Sequence, residues 1–181
     1  MGKPGSSRGA DYMRGFTWGV EGEEVVMKNL NRELEGITNR SMQGLIKAAA
    51  FIHRETETVP PKTPVDLGNL RSSWFVVTAK REVAGMGEAK QWKGPKASTY
   101  SGEHQSVMQQ GKAELQGLEN AGKRKFLMLG YSANYAGFIH EMIGAVNFTR
   151  EGSGIKWLET HIKKNTKKIV DIVKENATIK K

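Results

Sequence analysis

Cysteine is missing altogether from these 181 residues. That excludes a disulfide framework and any metal site built on thiolates. No apolar run approaches the ~18 residues that a membrane-spanning helix needs. The opening stretch, Met1 to Ala10, is charged but has no apolar segment, so it does not read as a secretory signal. A cytosol-like compartment is expected, unless the protein is carried out within a particle. Aromatic residues supply only 8% of the chain and hydrophobic residues 38%. A chain of this length and content can build one modest core, not two. Part of it is expected to be arm or loop that orders only against a partner. Proline is scarce too. Three of the five prolines fall together at Pro60, Pro61 and Pro64, where they end any preceding helix.

Positive charge, by contrast, is abundant and uneven. The formal net charge is +9, with +4 in residues 80–125 and +5 in residues 155–181, against −2 in residues 21–58. The surplus sits in a middle insertion and a tail. That distribution suits a nucleic-acid-binding surface or a protein that docks on an acidic partner. A solvated lysine face on the last helix is the plainer alternative.

Residues 1–20, rich in glycine and serine, read as a flexible N-terminal arm. Its Met13, Phe16 and Trp18 suit either a clasp on a neighbouring subunit or a terminus folded back on its own core. From Glu21 to Thr58, Val26, Leu30, Leu34, Ile37, Leu45, Ala49, Ile52 and Thr56 recur mostly at steps of three or four, the period of an amphipathic helix. Gly36 and Gly44 each cost ~1 kcal/mol relative to alanine. One long helix bent near Gly36–Asn39 is expected, with two helices as the alternative. Leu70 to Ala79 reads as a strand, with Ser72, Trp74, Val76 and Thr78 on one face and Ser73, Phe75 and Val77 on the other. Both faces carry apolar groups. The strand is therefore central, or covered by its own helix on one side and a neighbouring subunit on the other.

Residues 80–125 hold seven glycines and read as a long insertion, a hairpin with a flexible tip, with a weak helix over His104–Glu119 as the competing reading. Lys125–Tyr131 alternates as a second strand. Ser132 or Asn134 can cap a short helix through Met142. A second amphipathic helix runs from Ile155 to about Asn176, and residues 177–181 are tail. The fold class is α+β: a small antiparallel sheet flanked by a long N-terminal and a C-terminal helix, in one domain over residues 21–176. Two strands alone make a marginal sheet, a first physical hint that other copies complete it.

The chain is organised around Thr63-Pro64-Val65-Asp66-Leu67-Gly68-Asn69-Leu70-Arg71-Ser72-Ser73. Asp66 and Asn69 make short-range backbone hydrogen bonds and Gly68 accepts positive φ, so the middle is a tight turn. This stretch resembles the "P-V-D-T-G-N-L-R-x-S" signature of the tail-completion (neck) proteins of long-tailed bacteriophages, which join head to tail. Ala133-Asn134-Tyr135-Ala136-Gly137-Phe138-Ile139-His140-Glu141 is similar to that family's later "A-x-Y-A-x-x-x-x-E" block, and Trp157-Leu158 to the start of its C-terminal helix. The blocks fall in the family's order over residues 22–176. Leu67 stands where Thr is usual, Met142 replaces a common Gly, and the middle insertion is long. The resemblance implies a non-enzymatic virion protein assembled in the host cytoplasm. Copies would form a homo-oligomeric ring, six being the expected number, that completes the tail tube. Its partners would be the tail tube protein and the head-side connector or stopper protein, with DNA passing through the lumen and no membrane involved. Pro64, Asp66, Gly68, Asn69, Leu70, Arg71, Tyr135 and Glu141 are the turn and interface residues it singles out.

No catalytic set, cofactor loop or metal motif stands out. The histidines His53, His104, His140 and His161 form no H-E-x-x-H pair. A metal site from His53, His140 and a carboxylate competes with a plain hydrogen-bonding role for His140. Neighbouring His140 and Glu141 would point apart on a helix. Gly85-Met86-Gly87 lacks the third glycine of a dinucleotide loop. Asp66 and Arg71 can pair within the turn, or Arg71 can reach an acid on a neighbour. Glu141 is expected to pair with a basic group, Arg71 being the suggestion. A basic nucleic-acid-binding module is the alternative function, although no recognition-helix motif supports it.

Overall fold

The computed structural model describes residues 23–83, 91–122, 124–143 and 147–178. The N-terminal arm with Met13, Phe16 and Trp18, the Gly85-Met86-Gly87 stretch and the last three residues lie outside these. The chain divides into two compact units, Met1–Glu35 and Gly36–Lys181. Helix α1, Glu23–Thr58, is assigned without a break over 36 residues, as one helix and not two. In the first unit its Val25, Met27, Leu30 and Leu34 are exposed. All other described elements belong to the second unit.

There, α2 (Asn69–Ser72) leads into β1 (Trp74–Thr78), followed by α3 (Ala97–Gly122), β2 (Leu127–Tyr131), α4 (Ala136–His140), α5 (Trp157–Lys164) and α6 (Thr166–Ala177). The fold is α+β. β1 and β2 pair antiparallel, Trp74 opposite Tyr131 and Thr78 opposite Leu127. The period of two decides what each face meets. Trp74 and Val76 pack with Ala49 and Ile52 of α1, and with Val83. Phe75, Val77 and Ala79 pack with Met108 and Leu115 of α3. β1 is buried along its whole length. Its second edge carries a short return, where Thr78 N–H donates to Arg81 O and Val83 N–H to Val76 O, both at 2.9 Å. A third cluster joins Leu70, Ala133, Ala136 and Trp157.

Several elements differ from the sequence-based expectation. The insertion is no hairpin in its described part, because residues 97–122 are one 26-residue helix. Its buried stripe is His104, Met108, Gly111 and Leu115, a sound helical spacing disguised by a histidine and a glycine. Gly111 is the point of closest approach to the sheet. A Cβ there would lie 3.1 Å from Met128 Sδ and 3.2 Å from Val77 Cγ1. The second face of β1 is therefore covered by the chain's own α3 and needs no neighbouring subunit.

The strand begins at Trp74 and not at Leu70, since Ser73 N–H closes a helical turn on Asn69 O at 3.0 Å. The C-terminal helix is two helices. They break at Asn165, whose side chain donates to His161 O at 3.0 Å and so competes with the helical ladder. Neither Ser132 nor Asn134 caps α4, whose N-cap is Tyr135 without a side-chain bond. Ser132 Oγ donates to Ser73 O at 3.2 Å and meets His104 Nδ1 at 2.7 Å, while Asn134 donates to Glu103 at 3.0 Å.

The helix glycines now separate by role. At Gly44 a Cβ would meet the Val173 Cα at 2.9 Å and its carbonyl oxygen at 3.2 Å, so α1 and α6 touch through backbone. At Gly36 the nearest atom is the tip of Arg40, at 3.3 Å. Gly36→Ala should raise stability by about 0.5–1 kcal/mol through helix propensity. Gly44→Ala should lower it by about 1–3 kcal/mol despite the same propensity gain. Urea unfolding of both variants checks the opposite signs.

Candidate functional site

Helix α1 ends in an unusual way. Its last turn has no basic residue but holds Glu55 and Glu57, at the end where the helix dipole disfavours anions. Glu57 is compensated from two directions. Arg71 Nε lies 2.6 Å from Glu57 Oε2 in an ionic contact, and Arg150 Nη1 donates to the same oxygen at 3.0 Å. The Glu57 side chain is only 12% exposed. Arg150 also donates to the carbonyl of Glu57, an acceptor that the end of the helix leaves open, and to the carbonyl of Thr63 beyond it. The loop carrying Arg150 is pinned by Lys62 N–H donating to Gly152 O at 2.8 Å.

Beside this cluster Tyr131 closes a buried hydroxyl network. Its oxygen lies 2.8 Å from Thr63 Oγ1 and 3.2 Å from Thr56 Oγ1. Thr56 Oγ1 donates onward to His53 O at 2.8 Å. Burial pushes the Tyr131 phenol up to about 12. The ring stands edge-on to Trp74 and Trp157, with centroids at 5.2 Å and 5.8 Å. On the far side His161 Nε2–H donates to Val59 O and Pro61 O at 3.0 Å and 3.1 Å, tying α5 to the proline turn, in which the Pro60–Pro61 bond is cis.

The turn itself follows. Gly68 takes φ 90° and precedes α2, a conformation that suits glycine. Asn69, buried, uses its whole amide. Nδ2 donates to Lys93 O at 2.9 Å and Oδ1 accepts from Lys93 N–H at 2.8 Å. Ser72 Oγ donates to Gln91 O at 2.9 Å. Two side chains of one helical turn thus hold residues 91–93 through their backbone groups, while the Trp92 ring lies against Tyr100 and His104.

On the outer side of the turn lies a groove of about 270 Å³. Pro64 to Leu70 form one wall, Tyr135 and Ile139 of α4 with Tyr100 of α3 another, and Asn147 to Thr149 the third. Tyr100 and Tyr135 meet edge-to-face at 6.0 Å. The Tyr135 phenol is pushed up to about 12, by burial first and then by Tyr100 and Asp66 nearby. Leu67 on the rim is 52% exposed, and Phe138 and Ile143, on the same stretch as Tyr135 and Ile139, are 73% and 98% exposed.

Of the residues singled out from sequence, Pro64, Asp66, Gly68, Asn69, Leu70 and Tyr135 come together around this groove. Arg71 turns away from it to Glu57. Glu141 does not pair with Arg71. It sits just past α4, off helical geometry, where it binds Lys156 and lies 2.7 Å from His140 Nδ1. That departure from the helix is why adjacent His140 and Glu141 meet instead of pointing apart. Lys156, then His140, hold the exposed Glu141 carboxyl below its ordinary range. Glu57, Arg150, Tyr131 and Phe138 were not singled out. Two acids in a helix's last turn were the one available signal, for Glu57; nothing local to Arg150 marks it.

His53 stacks on Trp74 at 4.7 Å, and His140 stands edge-on to Trp157 at 4.7 Å. Among the described residues no group of three His, Asp or Glu side chains gathers, and no helix is long and apolar enough to cross a membrane. The chain matches no protein-family model, no curated protein and no solved structure.

Glu57→Ala should cost about 1–3 kcal/mol, because it removes the carboxylate that two partly buried arginines share. Chemical denaturation of the full chain measures it. The two raised phenols stabilise the fold fully below pH ~10, their unfolded value, and that contribution is lost as pH rises through about 12. The thermal midpoint should hold up to pH ~10 and fall above it, with a shallower fall in Tyr131→Phe. Of the four tyrosines that the phenolate absorbance reports, the difference between the native chain and Tyr131→Phe isolates Tyr131.

Proposed function

We propose that the chain is a non-enzymatic structural protein of a bacteriophage virion. Copies form a ring at the head–tail junction that completes the tail tube and joins it to the connector. One observation carries this reading. The two sequence blocks that resemble tail-completion proteins lie more than sixty residues apart, yet both line one groove. Its rim and the adjoining stretch after Tyr135 leave Leu67, Phe138 and Ile143 exposed, which suits a surface that meets another chain. The elements that build the groove are tied to their surroundings through Asn69, Arg71 and the Tyr131 network, which suits a surface that changes little on assembly.

The lysines Lys163, Lys164, Lys167, Lys168 and Lys174 are exposed on α5 and α6. They face solvent in the isolated subunit and are available to an acidic neighbour or to DNA in a lumen.

Light scattering of the purified chain, alone and mixed with tube and connector proteins of the same particle, tests the proposal. A multi-subunit ring mass, or one that forms only in the mixture, supports it. A single-chain mass under every condition, with DNA retained in a shift assay that weakens steeply with salt, favours the nucleic-acid-binding alternative.

A further inference from the structure

The groove between the 64–70 turn, Tyr100, Tyr135 and Phe148 has the chemistry of a receptor for a specific kind of peptide. At about 270 Å³ it falls below the ~300–1,000 Å³ usual for small-molecule pockets. It suits one or two side chains of a passing segment. Among its described lining residues Asp66 is the one charge; the rest of the wall is apolar, aromatic or neutral. Two tyrosine edges, a phenylalanine and a lone carboxylate favour a cation set beside aromatic or thioether side chains.

The chain carries one stretch of that composition outside the described residues. Residues 8–18 read Arg-Gly-Ala-Asp-Tyr-Met-Arg-Gly-Phe-Thr-Trp, two arginines against one aspartate, with Met13, Phe16 and Trp18 spaced around Arg14. We propose that this arm of a second copy docks in the groove, Arg14 against Asp66 and an aromatic side chain against Tyr135 and Leu67. The 22 residues before α1 span on the order of 70 Å when extended, so reach to a neighbour does not limit the contact. Gly15 between the cation and the first ring lets the backbone lie close to the wall. A donor arm seated in a groove of a different copy makes a heterologous contact, which propagates head to tail and gives a ring when the rotation between copies closes. The inference thus deepens, and rests on, the ring reading above.

The absence of native cysteine makes the test direct. Thr17→Cys and Leu67→Cys are prepared as separate full-length chains, mixed and oxidised. Leu118→Cys, exposed on α3 and outside the groove, is the control acceptor. The mixture with Leu67→Cys should give about tenfold more disulfide-linked pair than the mixture with Leu118→Cys. Adding Asp66→Lys to the acceptor should remove that excess, and Arg14→Glu on the donor should restore it. Equal linkage at both acceptors overturns the proposal. So does linkage confined to the interior of a single Thr17→Cys/Leu67→Cys chain, which would mean the arm serves its own groove. Light scattering of the same samples before oxidation separates the two claims. A ring mass without selective linkage sinks the arm and leaves the ring. Selective linkage in a protein that never exceeds a pair, with or without tube and connector proteins, sinks the ring and leaves the arm in its groove.

Discussion

The Glu57 carboxylate, held between Arg71 and Arg150, is the contact on which the rest of the second unit depends. It joins the end of α1, the turn after it and a loop ninety residues later. An anion at a helix C-terminus is unfavourable by itself, since it adds to the negative end of the dipole. Two guanidinium groups reverse the sign. Arg150 further satisfies the carbonyl of Glu57, which Pro61 leaves without a helical donor, and binds the carbonyl of Thr63 in the turn beyond. With that end fixed, Thr56 and Thr63 present their hydroxyls to Tyr131, and the second strand is drawn to the first. The charge cluster and the hydroxyl network thus act in series: one sets where the chain leaves the helix, the other where the sheet meets it.

The sheet shows how little strand is needed when both faces are covered. Two five-residue strands would be marginal in water. Here α1 covers one face and α3 the other, so each residue of β1 is buried whichever way it points. A ladder of rings from His53 through Trp74, Tyr131 and Trp157 to His140 then runs from the α1 side of the sheet into the cluster beneath α4. The low aromatic content is concentrated where it links clusters that would otherwise be separate. This self-sufficiency shifts the burden of any assembly away from completing the core. It rests instead on the groove and on the exposed apolar residues near it.

The legible parts of the sequence share one feature: their cause is local. The 3.6-residue period of α1, the alternation of Trp74–Thr78 and Leu127–Tyr131, the glycine at 68 and the prolines at 60, 61 and 64 all act within a turn or two. The misread parts had non-local causes. From sequence, residues 80–125 read as a hairpin partly for their glycines, whereas at Gly111 the missing side chain makes room for Met128 and Val77 from elsewhere in the chain. Asn69 reads as a turn residue and Ser72 as part of the strand, but their amide and hydroxyl serve residues 91–93. Glu141 is expected to pair with a basic group, Arg71 being the suggestion, whereas on leaving helical geometry it meets its own neighbour His140 and the distant Lys156.

By itself, then, the sequence determined the period of α1 and of the two strands, the position of the tight turn, the α+β class and the exclusion of thiolate chemistry, because propensity and patterning operate over a few residues. Tertiary structure alone decided that residues 97–122 cover the second face of the sheet and that Glu57 is shared by two arginines. It alone decided that the 64–70 turn and Tyr135 enclose a common groove. Those outcomes depend on which side chains arrive at the same place, and steric fit and charge pairing across long stretches of chain are written in no single segment.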